Sequence, residues 1–201
     1  MGAAAATNSF GACPVDFPVV EDFDASHYTG RWYEVVRDTA LWFERGSTCT
    51  TATYSPLPNG YIDVVNRADY WYYWYYMAFS IHGDAHCPVA TEAKCIVDFF
   101  GSTGTRVNYN VLLTDYSTYT VIYACTPLTK YGKNEDFWIL SRETTLPADT
   151  LASIEAQVAA IIPHYNLAKN TEVSPQPADC QYEDKATEMH SMEESANMFL
   201  H

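Results

Sequence analysis

Three observations predict an all-β fold: a sandwich or barrel of eight antiparallel strands, followed by one C-terminal α-helix packed outside it. Between Arg31 and Arg142 the chain breaks into eight runs rich in Val, Ile, Thr, Tyr and Phe, residue types that suit a pleated, half-buried surface. The runs are separated at short intervals by Gly, Pro, Asn, Asp and Ser, and strands joined by such short turns run antiparallel. One helical pattern follows the last run. A single amphipathic helix after eight strands cannot build an α/β layer, so its apolar stripe lies on the outside of a sheet or barrel.

The strands are expected at 31–37, 47–55, 61–68, 76–86, 94–100, 105–113, 118–125 and 136–142. Pro58, Asn59 and Gly60 make one tight reversal, Gly101 and Gly104 a second, and Asp115 to Ser117 a third. Pro147 stands at the start of the helix, where its missing N–H costs nothing. Leu151, Ile154, Val158, Ile161 and Ile162 then repeat at helical spacing, and Pro163 ends the pattern. The eight-residue run Tyr70 to Met77 falls between two strands. As a simple strand it would carry aromatic rings on both faces, so it reads either as a ligand contact or as a contact between copies of the chain, that is, a homo-oligomer.

The 201 residues divide into an N-terminal segment over 1–12, a folded domain over 13–180 and an acidic tail over 181–201. The first segment reads as a signal or vector remnant. In the tail, Met189, Met192 and Phe199 keep a loose helical spacing that would suit a docking helix, set against the alternative of a flexible tail. Hydrophobic residues make up 48% of the chain, ample for a core. A formal net charge of -14 repels phosphate backbones and anionic lipid heads, so nucleic acid is not an expected partner. No apolar run approaches the ~20 residues of a membrane span. The six cysteines lack the spacing of zinc or thioredoxin motifs, so no metal is expected, and their even number points to disulfides in a secreted, extracellular protein. Six cysteines allow about 15 pairings.

Gly30, Trp32, Tyr33 and Glu34 on the first strand, Thr114-Asp115-Tyr116 at a late turn, and Arg142 closing the eighth strand together resemble the three signature blocks of the lipocalin family. The similarity runs from Cys13 to Cys180 and is nearest to the branch of apolipoprotein D and the bilin-binding, including biliverdin-binding, proteins. Phe23-Asp24, Tyr28 to Glu34, Thr51 to Ser55, Val65-Asn66-Arg67, Leu112 to Tyr116 and Leu140-Ser141-Arg142 carry it. The resemblance implies a closed eight-stranded up-and-down barrel holding one small ligand. It implies that Trp32 plugs one end, with Arg142 stacked on its face. It also implies the disulfides Cys13–Cys125 and Cys49–Cys180. That leaves Cys87 and Cys95, which flank the connection between the fourth and fifth strands and would form a local staple.

By analogy with bilin-binding relatives, the loop Leu41 to Glu44 folds over the mouth, with Trp42 and Phe43 as lid aromatics, and Asn66 and Ala68 face inward. Alternation along the sixth strand points Val107, Tyr109 and Val111 together, and Trp138 is expected to face in from the eighth. The expected ligand-binding set is therefore Leu41, Trp42, Phe43, Asn66, Ala68, Tyr109 and Trp138. Arg67 joins it with Arg37 and Arg45 as partners for acidic groups, and His82 as a pocket histidine. The function expected is carriage of one small hydrophobic conjugated ligand, first a bilin such as biliverdin. The alternatives are carotenoid, retinoid, haem or fatty acid. A self-assembling structural or coloration protein and a lipocalin-type enzyme are rival readings, and no catalytic residue is assigned.

Overall fold

The computed structural model describes residues 7–101, 106–129, 131–182 and 187–188. Its elements in order are β1 (Thr7–Phe10), α1 (Ala25–Tyr28), β2 (Gly30–Asp38), β3 (Ser47–Pro56), β4 (Ile62–Tyr72), β5 (Tyr75–His86), β6 (Lys94–Asp98), β7 (Tyr109–Thr114), β8 (Tyr119–Thr129), β9 (Gly132–Ser141), α2 (Ala148–Ile161), α3 (Leu167–Asn170), β10 (Thr171–Val173) and β11 (Thr187–Glu188). Strands β2 to β9 pair in sequence order, and β9 pairs back on β2, closing an eight-stranded antiparallel barrel. Closure removes the free edges that an open sheet would expose. The short strands β1 and β10 add to β9 and β2, and β11 pairs with β5 in parallel.

Turn chemistry agrees with the sequence at two corners. Between β3 and β4, Gly60 takes φ +83°, and the Asn59 side chain accepts from the Tyr61 N–H. Between β7 and β8, Asp115 Oδ1 accepts from the N–H groups of Ser117, Thr118 and Tyr119 at 3.1, 2.7 and 3.0 Å. The aromatic run is neither a simple strand nor a segment apart from its neighbours. It forms the end of the β4–β5 hairpin, pairing Tyr70 with Met77, Trp71 with Tyr76 and Tyr72 with Tyr75 across a turn at Tyr73 and Trp74. Because the chain reverses inside the run, Tyr76 joins Trp71 on one face, where their rings meet edge to face at 5.0 Å.

The sixth barrel strand begins at Tyr109, so Val107 lies outside it and Thr105 lies outside the described residues. The Asn108 side chain takes over there: its amide donates to the Val97 C=O and accepts from the Val97 N–H, each at 2.8 Å. That pair of bonds imitates one rung of a ladder.

Two cores result. One fills the barrel's closed half with Phe23, Tyr28, Trp32, Tyr54, Val64, Val111 and Ile122. The other lies between the barrel wall and α2, where Ile154, Val158 and Ile162 pack on Val35, Leu112, Tyr123, Phe137 and Ile139. Each fully buried aliphatic side chain of that helix stabilises its docking by about 1.5–3 kcal/mol. Disulfides join Cys13 to Cys125, Cys49 to Cys180 and Cys87 to Cys95. The first two tie the segments before and after the barrel to β8 and β3. The tail positions Met189, Met192 and Phe199 lie outside the described residues.

Candidate ligand-binding site

The barrel has a plugged end and an open end, and the sequence builds the plug first. Gly30 takes φ +95°, and a Cβ there would stand 3.2 Å from Arg142 Nη1, so the backbone must be bare for the guanidinium to approach. Arg142 lies 3.5 Å from the centre of the Trp32 ring. It donates to the carbonyls of Tyr116, Arg31 and Thr29 at 3.1, 2.9 and 2.9 Å. One side chain thus combines a cation–π contact with the hydrogen bonds that hold α1 and the β7–β8 turn under the barrel. Thr114 supports that turn by donating to the Tyr119 C=O and accepting from the Tyr116 N–H.

Above the plug lies a buried hydroxyl cluster. The Tyr109 oxygen is 2.8 Å from both Tyr28 and Tyr54, and Tyr28 is 3.1 Å from Thr120. Burial pushes all three phenols upward, Tyr54 to about 12, so they stay protonated and act as donors and acceptors. A small cleft lined by Phe23, Tyr28, Tyr54, Ile62, Val97 and Tyr109 opens beside them.

Alternation defines the upper half. Trp32 points in, and so, two residues on, does the buried Glu34. A bulge follows between Glu34 and Val36, after which Arg37 faces inward opposite Trp138. On β4, Asn66 pairs with Ala52 of the barrel core and Ala68 follows on the same face. The loop between β2 and β3 sends Leu41 inward, 2% exposed, whereas Trp42 and Phe43 stand at the rim, 58% and 46% exposed. Glu44 of that loop receives the Trp138 indole N–H, 3.3 Å from each carboxylate oxygen. The Tyr70 hydroxyl donates to the Phe43 C=O. Arg37 donates to Glu172 at 2.8 Å and to the Ser47 hydroxyl at 2.6 Å, with Glu34 3.6 Å away. Burial first, and mutual charge second for Glu44, raise both Glu34 and Glu44 above the ordinary carboxylate range.

The structure therefore gathers Leu41, Asn66, Ala68, Tyr109 and Trp138 in one interior, with Trp42 and Phe43 at its lip. Arg67 and His82 are not brought there. Strand alternation puts Arg67 on the outer face, where it pairs with Asp69 at 2.8 Å and reaches the Cys49 C=O. His82 pairs with Val65, on the outward face, and is exposed. Of the three arginines expected to meet acidic groups, only Arg45 stands exposed at the mouth. Sequence reasoning missed Tyr28, Tyr54 and Glu34 as pocket residues, and it put Glu44 in the loop over the mouth without its bond to Trp138. Counting by twos from Trp32 would have found Glu34, but nothing local marks the two distant tyrosines that meet Tyr109.

Comparison with known proteins follows this geometry closely. The model of the Lipocalin-like domain matches residues 23–190. Bovine (Bos taurus) apolipoprotein D is 37% identical over 149 residues, spanning 72% of this chain and 74% of that protein. The Lazarillo protein of Schistocerca americana is 28% identical over 167 residues, 79% of this chain and 74% of that one. Among solved structures, insecticyanin from the tobacco hornworm Manduca sexta superposes with a TM-score of 0.72 at 27% identity, covering 91% of this chain and 96% of the other. Lobster apocrustacyanin A1, at 20% identity and a TM-score of 0.61 over 79% and 83% of the two chains, shares the fold.

Proposed function

This chain belongs to the lipocalin family, and from that membership we propose that it is a secreted carrier of one conjugated hydrophobic ligand, a bilin such as biliverdin first among them. One observation carries the reading. Inside a barrel lined by the aromatic faces of Tyr70, Tyr109 and Trp138, the Asn66 Oδ1 is buried and makes no hydrogen bond within the protein. A buried acceptor without a donor is costly, and the pyrrole and lactam N–H groups of a bilin are donors on a flat, conjugated body. Family resemblance to the bilin-binding branch points the same way. Three disulfides support an oxidising, extracellular setting.

All six cysteines are in disulfides, so the reactive thiol on which a lipocalin-type isomerase would rely is not available. A carrier needs none.

Titration with biliverdin, followed by visible absorbance and tryptophan quenching, tests the reading, with hemin, a carotenoid, retinoic acid and a fatty acid as competitors. Saturable one-to-one binding with a shifted pigment band is expected. Asn66→Leu should weaken it about five- to tenfold, since one buried hydrogen bond to a ligand carries about 1–1.5 kcal/mol. Quenching by a competitor but not by biliverdin would replace the ligand, and no quenching by any of the five would overturn the carrier. A second reading, self-assembly through Tyr70 to Met77, is favoured by the exposure of Tyr73 and Trp74 at the hairpin tip, 71% and 77%.

A further inference from the structure

Polar groups in the open half of the barrel are unbalanced in kind. Nine of the eleven Lys and Arg side chains are among the described residues, Lys130 and Lys185 being outside them. Arg142 lies in the plug, Arg67 and Lys133 are paired with Asp69 and Glu135 on the outer face, and Arg45 is exposed at the rim. Only Arg37 faces the interior, and Glu172, Ser47 and Glu34 already surround it. Two of the donors there are already committed: the Trp138 N–H goes to Glu44, and the Tyr70 hydroxyl to the Phe43 C=O. The balance of what faces a ligand is toward acceptors: the carboxyls of Glu34, which also accepts from the Ser174 hydroxyl, and of Glu44, and the unpartnered Oδ1 of Asn66.

We propose that this interior selects a ligand whose inserted polar group is a hydrogen-bond donor or a cation and excludes an ionised carboxylate, with Glu44 and Glu34 setting the selectivity. The inference rests on the carrier reading and narrows it. An anion passing inside the mouth meets the Glu34 and Glu44 carboxyls in a poorly solvated space, where Arg37 is already surrounded and Arg45 stays behind at the rim. A hydroxyl, amine or pyrrole N–H meets acceptors. A bilin fits if its N–H groups face inward and its propionates stay in solvent by Arg45.

A series with one polyene body and three head groups, retinol, retinylamine and retinoic acid, is titrated at pH 7.5 by tryptophan quenching, with biliverdin alongside. The alcohol and the amine should bind about tenfold tighter than the acid, a difference well resolved by titration. Glu44→Gln, which keeps an acceptor for Trp138, and Glu34→Gln should each shrink the amine-to-acid ratio several-fold. Acid binding as tight as the alcohol, or a ratio unmoved in both variants, would overturn the selectivity and leave the carrier intact. Biliverdin binding with no retinoid binding would overturn it too, since a donor head group then fails to enter. Silence from all four ligands would bring down the carrier reading itself.

Discussion

Asp136 sits two residues before Trp138 on β9, paired with Ala124 of β8. Burial, and after it the charge of Asp38, push its carboxyl up to about 7. In the unfolded chain the same group ionises near its ordinary value of about 4. Between those two values the folded protein holds a proton that the unfolded chain has lost, so the group's favourable contribution is complete below pH ~4 and drains away as pH rises through about 7. Asp136→Asn has no such dependence. It should match the parent near pH 4 and exceed it by about 1–2 kcal/mol at pH 8, short of the full linkage value because the side chain is only half-buried. Calorimetric melting at the two pH values checks this, and a variant that loses stability over that range as steeply as the parent would assign the effect elsewhere. Side chains like this one were partly legible beforehand. Trp32 and Arg142 were legible through the family resemblance of the blocks that hold them, and Asn66, Tyr109 and Trp138 through family position and alternation. Arg67 was misread because nearness to Asn66 in sequence means the opposite face in a strand. Arg37 faces inward only because of the bulge before it, which no local residue pattern marks.

At the scale of elements, the eight barrel strands follow from runs of strand-forming residues between turns, and α2 from the helical pattern, with ends that shift by as much as four residues, as where β7 starts at Tyr109 instead of 105. What the pattern could not give is the short strands β1 and β10, which pair where β9 runs past its contact with β2, at 132–135, and where β2 runs past its contact with β3, at 36–38. Nor could it give the fate of the aromatic run, since a turn at Tyr73, φ 55°, uses no glycine or proline. The seam between β6 and β7 is a sharper case. Only Lys94 and Cys95 pair with β7, and Asn108 supplies the next rung with its side chain. Asn108→Ala removes both bonds and leaves the Val97 N–H and C=O without their partners, at a cost of about 1–3 kcal/mol. The loss should be local as well as global: exchange of the Val97 amide hydrogen should accelerate more than that of Val121, on β8 in the core under α2. Equal acceleration at both sites would mean that the seam opens only with the whole barrel.

For the whole molecule, the distribution of charge and apolar surface matters more than any one contact. Net charge is -14, yet the eight residues from Tyr70 to Met77 carry none. The Tyr70 hydroxyl ties the base of that hairpin to the Phe43 C=O at the mouth, and Trp42, Phe43, Trp71, Tyr73, Trp74 and Tyr76 are all exposed. Apolar patches of this kind on an otherwise charged surface mark contact sites. If the contact is with another copy, two terms oppose each other: burial of the aromatic rings favours association, and repulsion between two acidic bodies disfavours it. Salt screens only the second, the Debye length falling from about 10 Å at 0.1 M to about 3 Å at 1 M. Self-association through the mouth should therefore strengthen with salt in sedimentation velocity. Replacing Trp71, Tyr73, Trp74 and Tyr76 together by Ser should abolish it while leaving the barrel's melting temperature near that of the parent, because these side chains pack on no core. Biliverdin titration of the same variant separates the two roles of the run. Retained binding with lost association makes the hairpin an interface between copies, lost binding in a protein that is monomeric throughout makes it part of the pocket, and no change in either removes both.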